Sequence, residues 1–160
     1  MSKVTIDFVS DVACPWCAVG LGGLLTAMER VKGEADVELR FRPFELNPDM
    51  PKGGQNTIER LMAKYGYDRE QVQANRKVIT ERAAAVGMRM RMAEDNRSFN
   101  TFDAHRLLHW AGLQGQASQT ALKKRLLETY HYDNQDTADA DVLARAAAVS
   151  YTHLTLPTKA

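Results

Sequence analysis

The sequence predicts an α/β protein in which a strand–helix–strand unit gives way to a long run of helices. Three observations carry that expectation. Residues 4–9 and 37–41 are short apolar runs with strand character, and a helical apolar stripe lies between them. Cys14-Pro15-Trp16-Cys17 sits at the first strand-to-helix junction. Beyond a loop rich in Pro and Gly at residues 47–54, apolar residues recur three and four apart for most of the remaining length.

Val4-Thr5-Ile6-Asp7-Phe8-Val9 is β-branched and apolar and reads as a buried strand, ended by Ser10 and Asp11. Leu21, Leu24, Leu25 and Met28 then form one helical stripe. Pro15 falls near its first turn, where a missing N–H costs nothing, and Gly33 closes it. Val37, Leu39 and Phe41 alternate with Glu38, Arg40 and Arg42 in a second strand, ended by Pro43. Ile58, Leu61, Met62 and Tyr65 mark one helix; Val72, Ile79, Ala83 and Val86 mark another, with Gly87 as its stop. Met88, Met90 and Met92 alternate with Arg89 and Arg91 in a short extended connector whose methionines are expected in the core. Asn100 starts the next helix as a cap, with Asp103 at the positive end of its dipole and Gly112 as its end. Residues 117–130 and 139–149 form two more, the second preceded by the cap-competent Asp136 and Thr137. After Val149 the helical pattern stops.

The formal net charge of +1 gives no electrostatic case for nucleic acid, and the short clusters Arg89/Arg91 and Lys123-Lys124-Arg125 read as solvated faces. No apolar run approaches the ~20 residues that span a bilayer. Asp7 breaks the apolar stretch at the N-terminus, which therefore does not read as a signal peptide. The expected location is the cytoplasm, where structural disulfides are rare and two cysteines point to catalysis or metal.

A dithiol redox site needs two sulfurs close enough to bridge, one of them a good thiolate. Two intervening residues with the first cysteine at a helix N-terminus meet both needs, because unpaired N–H groups and about half a positive charge stabilise a thiolate there. A free thiol near 8.5 can fall to between ~3.5 and ~7.5 in such motifs. Cys14 is the expected nucleophile, and Cys17, one turn inward and more buried, the resolving thiol. The competing readings are inert packing and a zinc half-site completed by His105 and His109, four apart on one helix face. A helix N-terminus disfavours a cation, so no metal is expected.

Residues 8–20, which contain the Cys-Pro-Trp-Cys segment, resemble the active-site segment of DsbA-family proteins of the FrnE-like cytoplasmic branch. Residues 42–51 (Arg42-Pro43-Phe44-Glu45-Leu46-Asn47-Pro48-Asp49-Met50-Pro51) resemble that family's second strand and following loop. Residues 100–108 resemble a helix of its inserted helical domain, and residues 136–144 the start of a later one. The resemblance implies a thioredoxin-like fold interrupted by an α-helical insertion, with disulfide oxidoreductase or isomerase activity on protein or small-molecule disulfides. It implies no cofactor beyond the dithiol, with glutathione open as a co-substrate. Pro15 and Trp16 would tune the pair, and Asn100 and His105 would lie near it and contact substrate, a surface or capping role being the alternative for His105. The implied division is residues 1–53 as the first half of the thioredoxin-like domain, 54–149 as the helical insertion and 150–160 as a non-native tail.

The resemblance ends near Ala148. Family members continue with a helix, a cis-proline loop facing the dithiol, two strands and a final helix, and nothing here corresponds to them. The string from Val149 to Thr158 resembles translated sequencing-adapter DNA, so the expectation is a truncated thioredoxin fold in which Pro157 carries no function. Two further functions compete. The related 2-hydroxychromene-2-carboxylate isomerases and kappa-class glutathione transferases resemble this fold but place a serine where Cys14 stands. A redox-independent chaperone would use the helical insertion, Trp16, Trp110 and the methionines as apolar surface. The sequence does not specify an oligomeric state.

Overall fold

The computed structural model describes residues 1–153, with side chains through Tyr151. Strand β1 (Ser2–Ser10) and strand β2 (Ala35–Pro43) are joined by helix α1 (Pro15–Arg30) and pair in parallel, from Ser2 opposite Ala35 to Ser10 opposite Pro43. A parallel pair needs such a crossover, because its strands run the same way and no tight turn can join them. Both strands extend beyond the runs that predict them. Helix α1 starts as expected, with Cys14 at the N-cap and Pro15 in the first turn.

Strand β1 was expected to be buried, and here the structure differs. Ile6 and Phe8 turn inward, Phe8 meeting Phe41 edge-to-face at 5.9 Å, with Val4 exposed at the start of that same face, but Val9 on the other face is 60% exposed. Side chains alternate along a strand, and no described element covers the second face of β1. The outer edge of β2 is better protected. Gln116 Oε1 accepts from the Leu39 amide (3.0 Å) and Gln119 Oε1 from the Phe41 amide (3.5 Å), satisfying donors that no strand takes.

The helical part begins at a two-residue antiparallel ladder, β3 (Gln55–Asn56) with β4 (Arg97–Ser98), which the sequence did not announce. Helix α2 (Thr57–Tyr65) is capped by the Asn56 side chain, and α3 (Arg69–Ala85) by a reciprocal box between Asp68 and Gln71. Gly87, at φ +76°, turns the chain after α3 as expected. The methionine connector forms no strand, but Met88 and Met90 are buried in the core.

Helix α4 (Phe102–Gln114) runs past Gly112, the expected stop. Gly112 instead leaves room for a neighbour: a Cβ there would lie 2.6 Å from the Gln119 amide nitrogen. Helix α5 (Gln116–His131) follows almost at once, and α6 (Ala140–His153) continues beyond Val149, where the helical pattern was expected to stop. Ser150 is buried within it and its hydroxyl donates back to the Ala147 carbonyl (2.9 Å). Pro157 lies outside the described residues.

Two cores result, and α5 serves both. Leu122, Leu126 and Tyr130 pack with Val12, Phe99, Leu108 and Leu143; Leu127 packs with Ala18, Leu21, Leu39 and Ile79. Gly22 lets α1 approach α3, since a Cβ would lie 2.7 Å from the Val86 carbonyl. No described helix is long and apolar enough to cross a membrane.

Candidate active site: a dithiol between an acid and a base

The active-site segment is anchored first by the residue that ends β1. Asp11 is 1% exposed and accepts four hydrogen bonds. Thr101 Oγ1 donates at 2.7 Å and His105 Nε2–H at 3.0 Å to Oδ1, the Leu46 amide at 2.8 Å to Oδ2, and the Ala13 amide at 3.3 Å closes the turn. Burial works against its charge, but the hydrogen bonds from His105, Leu46 and Thr101 outweigh it and hold the carboxyl below the usual carboxylate range. His105 Nε2 also lies 3.0 Å from the Phe44 carbonyl; two acceptors face that nitrogen, so it carries the proton. One carboxylate thus ties β1, the loop after β2 and the start of α4 to the turn that presents the cysteines.

Cys14 occupies the N-cap of α1, and its Sγ accepts the Cys17 backbone N–H at 3.3 Å. That satisfies one orphan donor of the helix and favours negative charge on sulfur. The sulfurs are unbridged, and a hydrogen bond between them couples their titration. The hydrogen bond from Cys14 brings the Cys17 thiol down to about 6, and the same bond pushes Cys14 up, because a second thiolate would sit beside the first. Backbone N–H groups favour charge on Cys14, and Lys123 favours it on Cys17. The pair, not either sulfur alone, therefore loses its first proton below the ordinary thiol range. Cys17 was expected to be the more buried; both are half-buried, since both lie in the first turn of α1.

Beneath the cysteines runs the inner face of α5. His131 Nε2–H donates to the Val12 carbonyl at 2.7 Å, and burial pulls this imidazole down to about 4, so it is neutral at pH 7. Lys123 corrects an expectation. It belongs to a cluster read as a solvated face, yet it is 1% exposed, whereas Lys124 beside it is exposed. Lys123 shares the helix face of Leu126, Leu127 and His131, three, four and eight residues on, which is the spacing that could have signalled its burial.

Cys14, Pro15 and Trp16 form one wall of a groove of about 560 Å³. Leu61, Tyr65, Ile79 and Met92 line it from the helical part, and Trp16, 52% exposed, stands on the rim. Arg60, Arg76 and Arg97 also line it, and among the described residues no carboxylate does. Cys17 is absent from the lining, so the groove opens on one sulfur of the pair. None of the three guanidiniums was signalled by the sequence, because the segments that carry them share a groove with Cys14 only in three dimensions.

The remaining expected site residues lie apart from the groove. His105 serves Asp11. Asn100 Oδ1 accepts from the Phe102 amide at 2.9 Å at the start of α4, and its Nδ2 reaches the Pro48 and Met50 carbonyls at 3.4 and 3.5 Å. His109 is exposed and lines a second cavity together with His105. Among the described residues no cluster of His, Cys, Asp and Glu could hold a metal ion.

A parallel β-α-β unit with a dithiol at its first strand-to-helix turn, and helices inserted after it, defines a thioredoxin-like α/β protein of the DsbA type. The sequence profile of the DSBA-like thioredoxin domain matches residues 5–150, and the chain belongs to that family. Among solved structures it is similar to the probable DsbA oxidoreductase of Streptomyces coelicolor, at 32% identity and a TM-score of 0.76. That match covers 96% of this chain and 68% of the other. No curated protein matches the sequence.

Proposed function

We propose that the chain is a thiol–disulfide oxidoreductase of the FrnE-like branch, exchanging disulfides with protein or small-molecule thiols through Cys14 and Cys17. The observation that carries this reading is the Cys14 sulfur at a helix N-cap, taking a backbone N–H and opening onto an apolar groove. In the oxidising direction for the protein, the Cys14 thiolate attacks a substrate disulfide and expels one thiolate, which takes up the Cys17 proton. Cys17 then attacks Cys14, the mixed disulfide breaks, and the second substrate sulfur leaves as thiolate. Two electrons pass to the substrate, and the starting thiol and thiolate become one disulfide. Trp16 on the rim offers a surface for the substrate chain, and Pro15 sets the turn. Asn100 and His105 enter this reading as positioning residues, because their polar atoms hold the surrounding loops. In a cytoplasmic setting, supported by a chain whose two cysteines both belong to the site, the reductase or isomerase direction is favoured.

The test is insulin reduction together with trapping of the intermediate. Cys14→Ser should lose turnover by at least ~10³-fold, the scale on which loss of a nucleophile is felt. Cys17→Ser should accumulate a mixed disulfide at Cys14. Turnover that survives Cys14→Ser sinks the proposal.

A glutathione-dependent isomerase or transferase is the second reading, favoured by one observation: three guanidiniums and no carboxylate line the groove, which suits an anionic thiol. Isomerisation of a chromene carboxylate by glutathione that persists in Cys17→Ser would promote it over disulfide exchange.

A further inference from the structure

The exchange chemistry leaves the buried ammonium of Lys123 unused. The neighbours of Lys123 on α5 fix where it lies: Leu122 and Leu126 pack with Val12, Leu127 packs with Ala18 and Leu21, and His131 donates to the Val12 carbonyl. These contacts bracket residues 14–17, so the stretch of α5 that carries Lys123 lies against the active-site segment.

The surroundings supply little fixed negative charge. Lys123 forms no ion pair with a carboxylate among the described residues. Asp11 is within electrostatic reach, but four donors already occupy it. His131 is neutral. From β2, the Phe41 ring lies 5.7 Å from Nζ, a cation–π contact. The cavity on that side, about 520 Å³, also brings Arg42, Glu45, His105, Arg106 and His109. Glu45, the acid in that lining, makes no ion pair with Lys123, and Arg106 pairs with Asp103. Beside the fixed charge of Asp11, the anion near this ammonium that changes with the redox state is the thiolate of the reduced pair.

We propose that Lys123 is the counter-ion of the reduced dithiol and sets how strongly the pair oxidises its partners. This inference rests on the dithiol reading above. Reduced protein holds one thiolate and one thiol over the ammonium. When the two sulfurs bond and their two electrons pass to the substrate disulfide, that negative charge leaves the site and Lys123 faces a neutral disulfide. An attraction present only in the reduced state shifts the equilibrium toward it, which makes the disulfide a stronger oxidant. Burial pulls the ammonium down to about 8, and the charges of Cys17, Asp11 and Cys14 oppose that pull. Oxidation removes the sulfur contribution, so Lys123 holds its proton more weakly in the oxidised protein.

Wild type, Lys123→Met and Lys123→Arg are equilibrated with reduced and oxidised glutathione, and the oxidised fraction is read by thiol trapping. Thiolate formation is followed at 240 nm against pH. Lys123→Met should move the equilibrium at least tenfold toward the disulfide, about 30 mV more reducing, and raise the thiolate midpoint by about one unit. Lys123→Arg should restore most of both. A folded Lys123→Met within twofold of wild type in the equilibrium, with the same midpoint, overturns the inference. Should that variant not fold, ¹³Cε-lysine NMR of wild type decides: the Lys123 pKa should be higher in reduced than in oxidised protein, and equal values overturn it. Wild type that fails to cycle with glutathione overturns the dithiol reading itself. Wild type that cycles, matched by Lys123→Met, overturns only the role of Lys123.

Discussion

The two flanks of the dithiol hold charge in opposite ways. On the flank built from β1, the loop after β2 and α4, Asp11 is buried and its charge is stabilised by four hydrogen bonds. On the flank built from α5, Lys123 is equally buried with no carboxylate paired to it, and His131 beside the segment is kept neutral. A buried charge with saturated partners acts as a structural tie, since nothing in the reaction changes its surroundings. A buried charge whose main counter-charge comes and goes with oxidation senses the reaction. On the proposed reading, the acid holds the cysteines in place and the base responds to what they become.

The largest effect is expected from cutting the tie. Asp11→Ala leaves the Thr101 hydroxyl and the Leu46 amide without their acceptor and His105 Nε2–H with the Phe44 carbonyl alone, and should cost about 3–5 kcal/mol, read as a lowered urea midpoint. Loss below 1 kcal/mol would mean that the four bonds do not hold the site.

Acid should then separate the two flanks. His131 has a folded pKa of about 4 against 6.5 when unfolded, so between those values the unfolded chain binds more protons. Stability should fall as pH drops from 6.5 to 4, by up to about 3 kcal/mol, and His131→Gln should flatten that segment of the curve. Asp11 acts lower: its contribution is complete above 3.8 and is lost only as pH falls through its depressed folded pKa. A single acid transition unchanged by His131→Gln would remove the distinction.

The smallest effect is the control for the base. Lys124 follows Lys123 in the chain but faces solvent. Lys124→Met should change stability by no more than about 0.5 kcal/mol and leave the glutathione equilibrium within twofold. A shift as large as that of Lys123→Met would show that net charge, not burial beside the dithiol, governs the potential.

Local features of this fold were readable from the chain, and contacts between distant segments were not. The strand–helix–strand opening, the Cys14 cap and the Gly87 stop depend on residues within one or two turns, and periodicity reports those directly. The exposure of Val9 depends on what covers the second face of β1, which no pattern inside the strand encodes. Gly112 looked like a helix end because glycine often is one; the packing of Gln119 against it is a contact with the next helix. Asp11 read only as the end of a strand because its partners, Leu46, Thr101 and His105, come from two other segments.

From the chain alone came the proposed chemistry: two cysteines at the spacing and helix position that favour a thiolate, since N–H groups and dipole belong to the same turn as the sulfur. The tertiary structure decided the electrostatic setting of that thiolate. It buried Lys123 and left Lys124 in water, and it surrounded Asp11 with donors from three elements. Spacing could not decide this, because the state of a buried charge depends on desolvation and on partners that only folding brings within a few ångströms.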